Sequence, residues 1–232
     1  MKKLLSCSGH SCGHRSEEYL DARISQKDIR TLYNSLSGIY DLWGLLAESK
    51  ARNRAIELAE IRDGQNILEV AVGTGLAFYE IVKRNRKGLN LGIDISPGML
   101  DKAKKRLSKL AGVSYQLELG SAFHLPAEDQ KFDLLVNNYM FDLIPFDEMD
   151  GILAEFKRVL KEGRKLVLVN MTKGEQFGSC LYDLIFRLSP KSMGGCRGVR
   201  LSERLMDQGF HIETREYHQQ LLFPSEVIVT YK

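Results

Sequence analysis

The residues with the plainest chemical purpose lie in one stretch, "NILEVAVGTGLAFYEIVK", from Asn66 to Lys83. An apolar run carries one carboxylate, Glu69, breaks at Ala71-Val72-Gly73-Thr74-Gly75, and gives way to a helical pattern. Gly73 and Gly75 let the backbone approach a ligand and leave N–H groups free at a helix start. A dinucleotide loop wants a third glycine, which allows close helix packing. Counted from Gly73 that place holds Phe78, and counted from Ala71 it holds Leu76; both are too large. A second carboxylate, Asp94, ends the next apolar run, where it can accept both hydroxyls of a ribose. Taken singly, Glu69 or Asp94 is a strand-end carboxylate that caps a helix. Together with the loop they favour an adenosine ligand lacking phosphates.

Those residues need elements to position them. "NILEVA" (66–71), "LNLGID" (89–94), "VSYQLEL" (113–119), "FDLLVNN" (132–138) and "KLVLVNM" (165–171) are short, β-rich and bounded by turn residues. Helical patterns fall between them at about 75–86, 97–110 and 146–161. The second opens with Ser96 as N-cap and Pro97 at the first helical position. The third sets Met149, Ile152, Leu153, Phe156, Val159 and Leu160 on one face. Strands alternating with helices predict a parallel sheet covered on both faces. The tail, "FHIETREYHQQLLFPSEVIVTYK", holds two extended runs with no helix between them, so the sheet should end in a hairpin. The expected fold is α/β: a doubly wound, seven-stranded, mostly parallel sheet with an antiparallel last strand.

Composition sets the outer bounds. At 232 residues the chain suits one large domain. A formal charge of +3 is too small to argue for a nucleic-acid partner. No apolar run approaches the roughly 20 residues that span a bilayer. "MKKLL" starts like a secretory signal, but Ser6 to His10 end it before an apolar core develops. Four cysteines, two early and two far downstream, do not make a secreted disulfide framework, so a cytoplasmic location is expected.

Five segments, "ILEVAVGTG", "GIDISPGML", "GSAFHLP", "FDLLVNNYMFDLIP" and "EFKRVLKEGRKLVLV", resemble in order and spacing the motifs of class I S-adenosylmethionine-dependent methyltransferases. The resemblance covers roughly residues 30–232 and implies a Rossmann-like fold with the same reversed seventh strand. It implies S-adenosylmethionine as cofactor and S-adenosylhomocysteine as product. Glu69 would sit by the methionine amino group, with Gly73 and Gly75 near the methionine and ribose. Asp94 would bind the ribose, and Ile95 would lie against adenine. Ala122 and Phe123 would lie at the adenine edge, and Asn137 would meet the methionine portion. Two positions depart from the family. The usual first glycine of the loop is Ala71, and the acidic residue of "GDA" is Ser121, whose hydroxyl either replaces its hydrogen bond to adenine or leaves it lost.

The acceptor side is less sharply marked. Tyr33 and Tyr40 in the amino-terminal region, with Tyr139 and Asp142 past the fourth strand, are the candidates. "LYNSLSGIYDLWG" and "EFKRVLKEGRKLVLVN" are similar to the ubiquinone/menaquinone C-methyltransferases and the bacterial phosphatidylethanolamine N-methyltransferases. The resemblance implies a small, apolar or lipid-like acceptor, a quinone precursor or a phospholipid headgroup. Residues 1–26 are expected to be a flexible segment, and 27–232 a single domain in which 173–200 form a substrate lid. Phe177, Leu181, Leu184, Ile185 and Leu188 make an apolar stripe there, read as core or as a lid touching a membrane surface. Cys7, His10, Cys12 and His14 suit zinc or copper(I), yet their tight, glycine-broken spacing fits a tail with chance ligands, and no metal is assigned. Two other functions compete: a nicotinamide-dependent oxidoreductase, which Phe78 opposes, and a non-catalytic S-adenosylmethionine-binding protein.

Overall fold

The computed structural model describes residues 48–172, 198–220 and 223–232. Tyr33, Tyr40, the amino-terminal Cys/His group, the 1–26 segment and the stripe from Phe177 to Leu188 lie outside the described residues. The described elements run α1 (Ser49–Leu58), β1 (Asn66–Val70), α2 (Leu76–Arg84), β2 (Leu89–Asp94), α3 (Pro97–Leu107), β3 (Gln116–Leu119) and β4 (Phe132–Asn138). A short 3₁₀ turn (Phe141–Leu143) follows, then α4 (Met149–Val159), β5 (Leu160–Met171), α5 (Ser202–Asp207), β6 (His211–Gln220) and β7 (Phe223–Tyr231).

One seven-stranded sheet, in the order β3-β2-β1-β4-β5-β7-β6, carries the fold. β3 to β5 are parallel, while β7 runs antiparallel to both β5 and β6. The expected hairpin and reversed last strand are present. Strand order switches between β1 and β4, and there the carboxyl ends of neighbouring strands diverge into a crevice.

The central strands are buried on both faces because alternate side chains feed two cores. Ile67, Leu134, Val136, Val167 and Val229 pack with Ala55 and Ile56 of α1, Phe78 and Ile81 of α2, and Ala103 and Leu107 of α3. Leu68, Leu135, Leu166, Leu168 and Ile228 pack on the opposite side with Ile152, Leu153 and Phe156 of α4. Ser96 caps α3 by accepting from the Met99 N–H at 3.3 Å, with Pro97 in the first turn. Three boundaries differ from expectation. α4 stops at Val159, and β5 begins at once, because Leu160 already pairs with Phe132. β3 is limited to Gln116–Leu119, the residues that find partners on β2. α2 starts only at Leu76, since Gly75 at its cap is left-handed, with φ +81°.

Phe78 finds its room at Gly92. A Cβ at Gly92 would meet the Phe78 ring at 3.0 Å and Val72 at 2.8 Å. The aromatic ring that a dinucleotide loop would exclude here fills space that β2 leaves open.

Candidate functional site

Three strand ends are woven together at the crevice. Val72 N–H donates to the Ile93 carbonyl at 3.1 Å, and Gly120 N–H donates to the Asp94 carbonyl at 3.0 Å. The Asp94 carboxylate adds side-chain ties: it accepts from Gly73 N–H at 2.7 Å and from Ser96 N–H at 2.8 Å. Burial raises its pKa, and the backbone N–H groups act against that rise. One carboxylate therefore fixes the loops after β1 and β2 relative to each other. Ala71 takes φ +60°, a left-handed conformation at the place where the family has glycine.

The loop after β3 is fixed from outside. Glu155 of α4 accepts from Leu125 N–H at 3.0 Å, while Arg158 donates to the Leu125 carbonyl at 3.2 Å and the Ala127 carbonyl at 2.8 Å. Arg158 also bonds Glu155 and Asp129. This clamp orients Ser121, Ala122 and Phe123, which line the cavity.

The cavity over these loops is lined mainly by apolar groups, with buried charge at one side. Glu69, 1% exposed, accepts from Asn138 Nδ2 at 3.1 Å through one oxygen. Its other oxygen, and Asn138 Oδ1, are buried and have no partner. Burial pushes the Glu69 carboxyl up to about 8; the Asn138 hydrogen bond and the charge of Arg52 act the other way. From α1 come Glu48 and Arg52, both buried and both lining the cavity. Burial pushes Glu48 up to about 7, helped by the negative charge of Asp142 and opposed by Arg52. Burial lowers the Arg52 pKa, against the charges of Glu48, Tyr139 and Glu69.

Of the residues expected on the cofactor side, Glu69, Ala71, Gly73, Asp94, Ile95, Ser121, Ala122 and Phe123 line this one cavity. Two do not. Gly75 faces α3 instead, where a Cβ would lie 3.0 Å from Ala103 Cα; its purpose is helix packing at a left-handed turn. Asn137 is fully buried and turns to the other face of β4, donating to the Val70 carbonyl at 2.8 Å. Its neighbour Asn138 faces the cavity because successive strand residues alternate. On the acceptor side, Tyr139 lines the cavity, held at φ +51° with its hydroxyl 2.9 Å from Ser225 Oγ. Asp142 is fully buried and lies outside the lining, acting on the site through its charge near Glu48. Glu48, Arg52 and Asn138 escaped the sequence reading. Their signal was present for α1: Glu48 and Arg52 stand one turn apart, in register with the buried Ala55, Ile56 and Ala59.

A zwitterionic amino acid moiety matches this lining, since Glu69 and Asn138 offer unfilled acceptors for an ammonium and Arg52 offers donors for a carboxylate. Residues 67–163 match a family model described as a methyltransferase domain. The chain is 30% identical over 164 residues to a demethylmenaquinone methyltransferase of Tropheryma whipplei strain Twist, covering 69% of this chain and 66% of that one. In both comparisons the chain is similar to class I S-adenosylmethionine-dependent methyltransferases. The chain spans just under two thirds of that relative's length. Among solved structures, the [4+2]-cyclase SpnF superposes with TM-score 0.72 at 17% identity, covering 92% of this chain and 98% of that one. Magnesium protoporphyrin IX methyltransferase of Synechocystis with bound S-adenosylhomocysteine gives TM-score 0.61 at 16% identity, covering 89% and 86%. At such identities these two similarities speak for the fold alone.

Proposed function

We propose that this chain binds S-adenosylmethionine in the crevice between β1 and β4 and transfers its methyl group to a small apolar or lipid-like acceptor. A quinone precursor or a phospholipid headgroup fits that description. The observation that carries the cofactor half is the cavity's unmatched buried polarity: Glu69 and Asn138 each keep a buried oxygen without a partner. An ammonium group there would fill both, and the buried Arg52 would face the accompanying carboxylate. Asp94 sits at the end of β2 with Ile95 beside it, so it would take the ribose hydroxyls while Ile95, Ala122 and Phe123 flank adenine. Gly73, at φ +57° with nothing within 4 Å of where a Cβ would stand, leaves the backbone open to the ligand.

When bound, S-adenosylmethionine supplies a methyl group on a sulfonium that an in-line nucleophile can displace. The chain's own residues supply positioning, and an apolar enclosure in which the acceptor is held without competing water. The name of the Tropheryma relative supports a quinone-type acceptor. Residues 27–232 are read as a single domain; the substrate lid expected at 173–200 falls almost wholly outside the described residues. No described helix is long and apolar enough to cross a membrane.

Isotope-labelled cofactor incubated with fractionated cell extract tests the reading. Label should pass to the lipid-extractable pool. Tight cofactor binding with no transfer to any pool would make this a binding protein only, and NAD binding of equal strength would overturn the assignment of the loop.

A further inference from the structure

Glu48 sits where a helix N-cap belongs, yet its side chain makes no cap hydrogen bond. It lies instead along the cavity wall, 7% exposed, one turn before Arg52. A carboxylate is expensive to bury without a strong local purpose. The polar groups around it divide cleanly. Tyr139 is tied to Ser225, and its pKa is raised well above the usual phenol value by burial, with the charges of Glu48 and Asp142 adding to the rise, so it stays protonated near neutrality. Asp142 is fully buried outside the lining and cannot meet an acceptor. Glu69 is the partner expected for the cofactor's ammonium. Glu48 remains, lining the same cavity as Tyr139, Met140, Leu143 and Ile144.

We propose that Glu48 is the general base of the reaction and that the acceptor is a planar aryl or enol hydroxyl compound, its O–H directed at Glu48 and its ring held by Tyr139, Leu143 and Ile144. The inference rests on the methyltransferase reading above and narrows it. As the acceptor's O–H bond breaks, the proton passes to a Glu48 oxygen and the electron pair stays on the acceptor. That pair, on oxygen or delocalised onto a ring carbon, forms the bond to the methyl carbon while the methyl–sulfur pair leaves on sulfur. For attack from a ring carbon, the proton already on that carbon is lost to water afterwards as aromaticity returns. Glu48 then gives its proton to water, which restores the carboxylate.

Among the charged groups that face Glu48, Asp142 lifts its proton affinity and Arg52 lowers it, with burial the larger influence. A base poised near neutrality is the most effective kind.

The test uses the full chain with 1-naphthol as acceptor probe, S-adenosylmethionine as methyl donor and S-adenosylhomocysteine as binding probe. Labelled methyl transfer to 1-naphthol should rise with pH through about 7, where Glu48 becomes the carboxylate that can accept the naphthol proton in the transition state. Glu48→Gln should abolish that rise and slow labelled methyl transfer to 1-naphthol by about a hundredfold or more, leaving S-adenosylhomocysteine affinity within about twofold. A carbon-13 carboxyl resonance titrating near neutrality should vanish in the same variant. An unchanged rate and pH profile of methyl transfer in Glu48→Gln would overturn the base, and failure of 1-naphthol to bind the cofactor-loaded protein would overturn the acceptor class. Failure of S-adenosylhomocysteine to bind at all is a separate result that overturns the underlying methyltransferase reading.

Discussion

The two ends of the cavity are built on different principles. At the cofactor end, main-chain bonds from β1, β2 and the loop after β3 converge on one residue, Asp94, so the geometry follows from the sheet itself. At the proposed acceptor end, side chains from α1, which precedes β1 in the chain, line the cavity with Tyr139 and the 3₁₀ turn after β4, and no main-chain ladder joins them among the described residues. A site tied to the sheet is rigid and suits a constant cofactor. A wall assembled by side-chain packing can be altered with little effect on the fold, which suits an acceptor that differs between relatives.

The largest effect should come from the packing beneath the cofactor end. Gly75→Val places a branched side chain at φ +81° against Ala103, and should destabilise the fold by about 3 kcal/mol or more in urea unfolding. A fully stable variant would mean that α2 and α3 can part without cost. Next, Asp94→Ala removes the proposed ribose acceptor together with the ties to Gly73 and Ser96. It should weaken S-adenosylmethionine binding by about 1.5–3 kcal/mol or slightly more in calorimetry. Comparable losses from any acceptor-end substitution would erase the contrast drawn here.

A third prediction uses pH. Glu69 and Glu48 have folded pKa values raised to about 8 and about 7 from 4.5, so each holds its proton more tightly folded than unfolded. Their contribution to stability is therefore complete below about pH 4.5 and is lost as pH rises through about 7 and then about 8. The free protein's melting temperature should fall across that window, and Glu69→Gln should remove the upper part of the fall. Cofactor binding should shrink the fall as well, because an ammonium beside Glu69 favours its charged form. A melting curve independent of pH between 5 and 8.5 would contradict the burial of both groups.

The smallest effect concerns Ala71. Its left-handed φ of +60° disfavours any side chain, so Ala71→Gly should stabilise the fold by about 0.5–1 kcal/mol and leave cofactor affinity near normal. Loss of stability would show that the Ala71 methyl packs well enough to outweigh its strain.

Much of this molecule was legible in its sequence because the cofactor end is local. Glu69, the loop to Gly75 and Asp94 lie within 26 residues (69 to 94 inclusive) on two consecutive strand-loop units, and alternation of apolar residues alone places both carboxylates at strand ends. The misplacement of Asn137 shows the resolution of such reading. Adjacent strand residues face opposite sides, so a slip of one position exchanges the residue that bonds Val70 for Asn138, which meets Glu69. Gly75 shows a different limit: its glycine is required by Ala103 of another helix, which no local pattern reveals.

By itself, then, the sequence determined the order of strands and helices, the reversed terminal hairpin and the two carboxylates of the cofactor end, all consequences of periodicity and turn chemistry over short spans. Tertiary structure alone decided that α1 packs across the sheet and carries Glu48 and Arg52 to the cavity wall. It also decided that Asp142 stays behind that wall, and that Phe78 fills the space over Gly92. The physical reason is the same in each case: burial and charge coupling arise between groups far apart in the chain, and only packing brings them close enough for one to change the protonation or room of another.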